Sequence, residues 1–232
     1  TPTTSSAASD VYKRQIERTG IEQRRHIKKG DGNTTATMGA KAAKQALERA
    51  DMSAKEIDLI IFATLSPDYY MPGSGVFVQN ILEIPTCPAM DIRNACSGFV
   101  FGLATADQFI KTGMYKNILV IGSETQSGAI DMTSRGRDIA VIFGDGAGAA
   151  VVTRSNSSSL GILSSHLHSE GEYADELVMV APNMNKWVTE IVSDNDPNDS
   201  SYYPYMNGRL VFKNAVTRFE EVINSGLNQN KI

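Results

Sequence analysis

The sequence predicts an α/β fold, and three observations carry that expectation. Residues 59–64 (LIIFAT) and 117–123 (NILVIGS) are short apolar runs, the pattern of strands buried on both faces. Residues 37–50 (TMGAKAAKQALERA) are rich in helix formers and repeat small or apolar positions at three-to-four spacing. Strand-like and helix-like segments then alternate along the chain, as they do when helices cover a largely parallel sheet.

The first helix, 37–50, sets Ala40, Ala43, Leu47 and Ala50 on one face, and the first strand, 59–64, follows it. Pro67, Pro72, Gly73 and Gly75 mark a loop, because proline fixes φ and glycine frees it, and 76–82 resumes as a helix. Residues 89–92 form a second short strand, 96–111 a buried helix and 117–123 a third strand. Residues 140–143 (AVIF) and 148–153 (GAAVVT) flank GDGAG at 144–148, whose glycines predict the tight turn of a hairpin. From 155 to 159 the chain is a polar link, and 160–167 and 176–180 read as strands of a second unit. Residues 194–201 (DNDPNDSS) form an acidic, turn-prone loop. Residues 210–227 place Val211, Ala215, Phe219, Val222 and Ile223 on one stripe, an amphipathic helix with a face to bury. No repeat is visible at a period of about 20 to 50 residues.

With 232 residues, 41% hydrophobic and 21% charged, the chain can build the core of one large or two small domains. The net charge is -4 and no lysine or arginine cluster stands out, which argues against a nucleic-acid partner. No apolar run approaches the roughly 18 residues of a membrane span, so no membrane association is expected. Two cysteines, Cys87 and Cys96, cannot make a disulfide framework, and thiols this sparse fit a reducing, cytoplasmic setting. Residues 1–9 (TPTTSSAAS) lack the basic and apolar regions of a signal peptide, and 10–15 (DVYKRQ) resemble sequencing-adapter read-through. Residues 1–15 therefore read as a non-native or disordered leader. The chain stops at Ile232 directly after a helical pattern, which reads as a fragment.

Cys96, in AMDIRNACSGFVFGL (89–103), is the residue with two readings. Free cysteine is among the most buried residue types, so packing inside a helix is the plain explanation. Against it, Cys96 falls at a strand-to-helix junction, where a first-turn thiol meets unpaired backbone N–H groups that favour a thiolate. Gly98 and Gly102, one turn apart, leave room for a substrate or a facing backbone, although each Gly costs a helix about 1 kcal/mol relative to Ala. Cys87 lies between prolines in IPTCP and reads as structural.

The run NACSGFVFGL, followed by NILVIGSET and FGDGAGAAVV, resembles ketoacyl-[acyl-carrier-protein] synthase III of the thiolase-like superfamily. The likeness starts at ERTGI (17–21), passes through TLSPDYYMPGSG (64–75) and persists to MNGRLVFKNAV (206–216). The resemblance implies a layered αβαβα fold of two similar halves, here incomplete: 16–154 as the N-terminal half and 155–232 as the beginning of the C-terminal half. It implies that Cys96 accepts an acyl group, usually acetyl, from a coenzyme A thioester. Malonyl-acyl-carrier protein then loses CO2, and its carbanion attacks the acyl-cysteine to give a 3-oxoacyl-carrier protein. No cofactor is implied beyond the coenzyme A thioester used as substrate, and a homodimer is implied for the full-length protein.

The same resemblance assigns Arg18 and Arg137 to the nucleotide end of coenzyme A, and Met206, Gly208 and Phe212 to the pantetheine tunnel. Met71 matches a position that reaches the partner subunit's acyl pocket. Lys213 and Arg218 lie on the polar side of the last helix, where they suit steering contacts with an acidic carrier protein or simply a solvated face. A tryptophan expected shortly before ERTGI is replaced by Arg14. The family's His and Asn for decarboxylation would fall beyond Ile232, and His26, His166 and His168 read as ordinary surface histidines, so the chain alone is expected to be inactive in condensation. Two other readings stand beside this one: a thiolase-like enzyme with another acceptor, of the polyketide or quinolone starter or hydroxymethylglutaryl-CoA synthase type, and a non-catalytic thiolase-like subunit.

Overall fold

A computed structural model describes residues 16–17, 19–157, 160–181 and 200–232. The described residues pack as two units: one takes in 25–125 and 145–167, the other the described parts of 1–24, 126–144 and 168–232.

The first unit is built on a four-stranded sheet in the order β2-β1-β3-β4. β1 (Leu59–Ala63) pairs in parallel with β2 (Ala89–Ile92) on one side and with β3 (Asn117–Glu124) on the other. β4 (Gly146–Thr153) closes the other side of β3 in antiparallel pairing. All five residues of β1 are buried, as an apolar run without alternation requires. Ile60 and Phe62 join the core beneath α1 (Thr35–Arg49) and α2 (Ser74–Ile81), while Leu59 and Ile61 face the layer formed by α3 (Gly98–Thr112). The sheet is thus covered on both faces.

α1 begins two residues earlier than its helix formers alone suggest, because a capping box starts it. The Thr34 hydroxyl accepts from the Thr37 amide and the Thr37 hydroxyl accepts from the Thr34 amide. Ala36, Ala40, Ala43 and Leu47 form its buried face, whereas Ala50 is its exposed C-cap. Gly39 faces the sheet so closely that a Cβ there would stand 2.7 Å from the Phe62 ring.

Three expectations fail. Residues 140–143 are not a strand: α4 (Arg137–Ala140) and the turn after it take this segment, with the Ala140 amide donating to Gly136 and that of Phe143 to Ile139. A four-residue apolar run fits a helical turn as well as a strand, and β4 finds its partner in β3 instead. Residues 160–167 form no strand either; among the described residues they have no ladder partner, and Leu160 and Leu163 are exposed. Of 176–180 only β5 (Leu177–Val178) is extended, pairing antiparallel with β6 (Tyr205–Met206) in the second unit.

The second unit ends in α5 (Gly208–Asn230), started by the Asn207 side chain, which accepts from the Leu210 amide. Its apolar stripe is present but does not bury. No residue of α5 is buried, and Phe212, Val216, Phe219 and Ile223 are each more than half exposed. The acidic loop at 194–199 and the leader at 1–15 lie outside the described residues. Among the described residues no helix is long and apolar enough to cross a membrane.

Candidate active site

The three parallel strands β1, β2 and β3 all end at one edge of the sheet, the edge where α/β sheets commonly hold ligands. β2 runs out at Ile92, and four residues later comes Cys96. Cys96 is exposed, which removes the packing reading. It does not lie in the first turn of a helix, as its sequence position suggests, but in a 3-10 turn, Ala95–Ser97, set before α3. Ala95 holds a left-handed φ of 49°, a conformation that costs a residue with a Cβ about 1 to 2 kcal/mol. The Ser97 hydroxyl turns back to donate to the Asn94 carbonyl at 2.9 Å, so no side chain caps the start of α3. An exposed thiol therefore stands beside the uncapped start of a 15-residue helix.

Gly98 and Gly102 prove to face the sheet rather than a substrate. Both are buried, and added Cβ atoms would lie 3.1 Å from the Ala63 Cβ and 3.0 Å from Val120 Cγ1. Their smallness seats α3 directly on β1 and β3. Cys87 is the contrast: it packs against the core beneath α1, and burial, with the Asp58 charge behind it, pushes its thiol up.

The loop 65–73, between β1 and α2, carries Met71 beside the same edge. Its tip is open, with Tyr69, Tyr70 and Met71 61%, 70% and 82% exposed, and the Met71-Pro72 bond is cis. Its base is held by carboxylates from three places, none of which the sequence reading singled out. Glu124, at the end of β3, accepts from the Leu65 amide at 2.7 Å and the Ser66 hydroxyl at 2.6 Å. Asp68 accepts from the Ala36 amide at the start of α1 and from the Ser74 hydroxyl. Asp91, on β2, accepts from the Ser74 and Gly75 amides at 2.6 and 3.0 Å. The available signal was the glycine pair around Ser74, which leaves space for a neighbouring side chain. An open cleft of about 490 Å3, lined in part by Thr34, Asp68, Tyr69 and Phe77, adjoins this base and is not lined by Cys96.

Of the other expected site residues, Arg18 lies outside the described residues. Arg137, Met206, Gly208, Phe212, Lys213 and Arg218 all belong to the second unit. Within it, α4, which begins at Arg137, lies against β6, which ends at Met206 and leads into α5. Arg137 is exposed, and among the described residues its charged contact is Asp138, 4.0 Å away. Gly208 opens α5 in van der Waals reach of the Met206 side chain, and Phe212 is 62% exposed. Lys213 is exposed on the same helix. Arg218 is already engaged, paired with Glu170 at 2.5 Å and Glu221 at 2.7 Å. His26 and His168 are exposed, while His166 shares a 3.0 Å hydrogen bond with the Ser164 hydroxyl.

The turn that precedes α4 has its own anchor. Asp131 accepts from the Thr133 amide at 2.9 Å and pairs with Arg135, whose guanidinium stacks 4.7 Å from the Tyr203 ring centre. The Thr133 hydroxyl and amide, then Arg135, hold the Asp131 carboxyl down to about 2 from an ordinary 3.8. A carboxyl with a depressed folded-state pKa adds stability above its unfolded pKa and loses it as pH falls through the folded value. Asp131→Asn is expected to flatten the acid limb of stability between about pH 4 and 2, read by denaturant melts across that range. An unchanged limb would show that this anchor does not contribute.

Two kinds of comparison bear on this edge. Residues 90–171, from β2 through Cys96 to β4 and beyond, match the family model for 3-oxoacyl-[acyl-carrier-protein (ACP)] synthase III. Over 215 residues the chain is 43% identical to beta-ketoacyl-[acyl-carrier-protein] synthase III 1 of Vibrio vulnificus strain YJ016, covering 93% of this chain and 62% of that one. Over nearly all of its own length the chain is similar to the 3-oxoacyl-[acyl-carrier-protein] synthase III family. Its fold agrees: the crystal structure of the synthase III of Aquifex aeolicus VF5 superposes with a TM-score of 0.81 at 39% identity, covering 95% of this chain and 63% of that one. The priming beta-ketosynthase of the R1128 polyketide pathway is a more distant structural match, with a TM-score of 0.73, 27% identity and coverage of 92% and 62%. The synthase III fold is the thiolase-like α/β fold, and the sheet unit supplies a mixed sheet with helices on both faces. The chain spans a little under two thirds of the length of these relatives.

Proposed function

We propose that the chain carries the acyl-accepting part of an acyltransferase that starts fatty acid chains. The Cys96 sulfur attacks the thioester carbonyl of an acyl-CoA, acetyl above all, and coenzyme A leaves as its thiol while the acyl group stays on sulfur. The backbone N–H groups at the 3-10 turn and the start of α3 are suited to hold the oxyanion of the tetrahedral intermediate. Malonyl-acyl-carrier protein then loses CO2, and the carbanion attacks the acyl-cysteine and frees the thiolate, yielding 3-oxoacyl-acyl-carrier protein. The His and Asn that stabilise the enolate in this family belong to its C-terminal half. No resident cofactor enters these steps.

The observation that supports this reading is the exposure of Cys96 behind the left-handed Ala95 at an uncapped helix start. Arg18 and Arg137 are assigned to the nucleotide end of coenzyme A, Met206, Gly208 and Phe212 to its pantetheine arm, and Met71 to the acyl pocket of a partner subunit in a cytoplasmic homodimer. Residues 16–154 and 155–232 are read as the first half and the opening of the second. Incubation with acetyl-CoA, followed by peptide mapping, should place a hydroxylamine-sensitive acetyl group on the Cys96 peptide. No label there, or equal label on Cys87, would overturn the assignment.

Lys213 and Arg218 are the proposed carrier-protein face, and Lys213 is the better test because Arg218 is paired twice within its own unit. In the full-length enzyme, Lys213→Glu is expected to raise KM for malonyl-acyl-carrier protein several-fold, leaving that for acetyl-CoA unchanged. Equal effects on both substrates argue against docking at this helix. The likeness to a polyketide priming ketosynthase supports a second reading in which the same acyl-cysteine serves another acceptor. A panel of malonyl-loaded carrier proteins separates the two.

A further inference from the structure

α2 begins without a local side-chain cap: Gly73 occupies its N-cap position and offers no oxygen. Its first amides are satisfied from 16 and 17 residues away, by the Asp91 carboxylate. A Ser or Asp at position 73 would reach the Gly75 amide with less chain ordering but not that of Ser74, so the distant acid does something a local cap would not. It ties the end of loop 65–73 to β2, the strand that leads into Cys96. The fit is tight: a Cβ at Gly73 would stand 2.5 Å from Asp91 Cγ, and one at Gly75 2.8 Å from Oδ1. The two glycines of MPGSG and the aspartate of AMDI are therefore complementary parts of one contact.

Asp91 is also placed at some expense to itself. Partial burial of the carboxyl pushes its pKa up, the Gly75 and Ser74 amides hold it back, and the nearby Asp68 charge pushes it further up. A carboxyl whose folded-state pKa is raised is destabilised in its charged form by folding, which argues for a role in geometry more than in stability. At the opposite end of the loop Glu124 makes the matching contact, to Leu65 and Ser66.

We propose that Asp91, on the strand that leads into Cys96, is a positioning residue that with Glu124 on β3 clamps the base of loop 65–73 to the sheet edge and so fixes where Met71 meets the acyl group in the partner subunit's pocket. The acyl part of this inference rests on the proposed function; the clamp does not. In the 232-residue chain, amide exchange at Ser74 and Gly75 is expected to speed by about tenfold or more in Asp91→Asn, with Ile60–Phe62 amides unchanged. Gly75→Ala, whose Cβ displaces the carboxylate without removing it, should do the same and stands in if Asp91→Asn fails to fold. The ratio of acetyl to longer-acyl labelling at Cys96 should shift by about threefold or more, whereas a merely softened structure lowers all acyl groups alike. Unchanged exchange at Ser74 and Gly75 overturns the clamp, and faster exchange with an unchanged acyl ratio overturns the positioning role. Absence of any labelling in the unsubstituted chain overturns the proposed function instead, and exchange alone then decides the clamp.

Discussion

Cys96→Ala is expected to reduce acyl labelling by acetyl-CoA at least about 10³-fold, to background, while Cys87→Ala retains it. The contrast follows from placement. Cys96 projects from a turn at the sheet edge and is exposed, so its replacement removes no packing and should change stability by no more than about 0.5 kcal/mol. Cys87 packs against the core with its thiol pushed toward the neutral form, so it offers little thiolate to an acyl donor. Mass-mapped labelling and a denaturant melt on the same samples separate lost chemistry from lost fold. A Cys96→Ala protein that keeps a tenth of the label would place the acyl acceptor elsewhere.

Phe62→Ala is expected to cost about 3 to 5 kcal/mol, the largest stability effect in the sheet unit. Phe62 is fully buried in the central strand β1, with Asp91 on β2 and Ile121 on β3 as its register partners. Its ring fills the space left by Gly39 on α1, so the alanine variant removes the contact that seats this helix on the sheet. Because α1 is held close by that ring, collapse around the vacancy is limited and the cavity term persists. Urea unfolding followed by circular dichroism reads the change. A loss below about 1 kcal/mol would mean that α1 settles onto the sheet without the ring.

How much of this could be read in advance depended on which contacts were local. β1 and β3 were legible because an apolar run buried on both faces announces itself, and α1 because its small residues recur at helical spacing. The same logic misplaced residues 140–143 and 160–167, where four apolar residues in each segment satisfy more than one periodicity and only a neighbouring strand decides. The stripe on α5 was correctly seen as apolar, but its burial depends on what packs against it, which no periodicity states. At the site, Cys96 was legible from its junction and from the motifs around it. The left-handed Ala95 was not, since nothing in an alanine signals that conformation, nor were the capping role of Asp91 and the grip of Glu124, each of which joins residues that are near in space and not in sequence. Gly98 and Gly102 were noticed for the right property, small size, and of the two neighbours it allowed, a substrate or a facing backbone, the sheet is the one they meet.

Those two glycines turn a question of reactivity into one of dimension. With hydrogen as their side chain, α3 rests on Ala63 and Val120 at the closest spacing that van der Waals radii allow. The height of the Cys96 sulfur above the sheet is then set by the thickness of chemically inert atoms beneath it. A methyl group added at either position is a shim: it leaves every reacting group intact and changes how far the thiol reaches. Tolerance at this seat is therefore measured in tenths of an ångström, and inertness there is as much a condition of the proposed chemistry as nucleophilicity is at the sulfur.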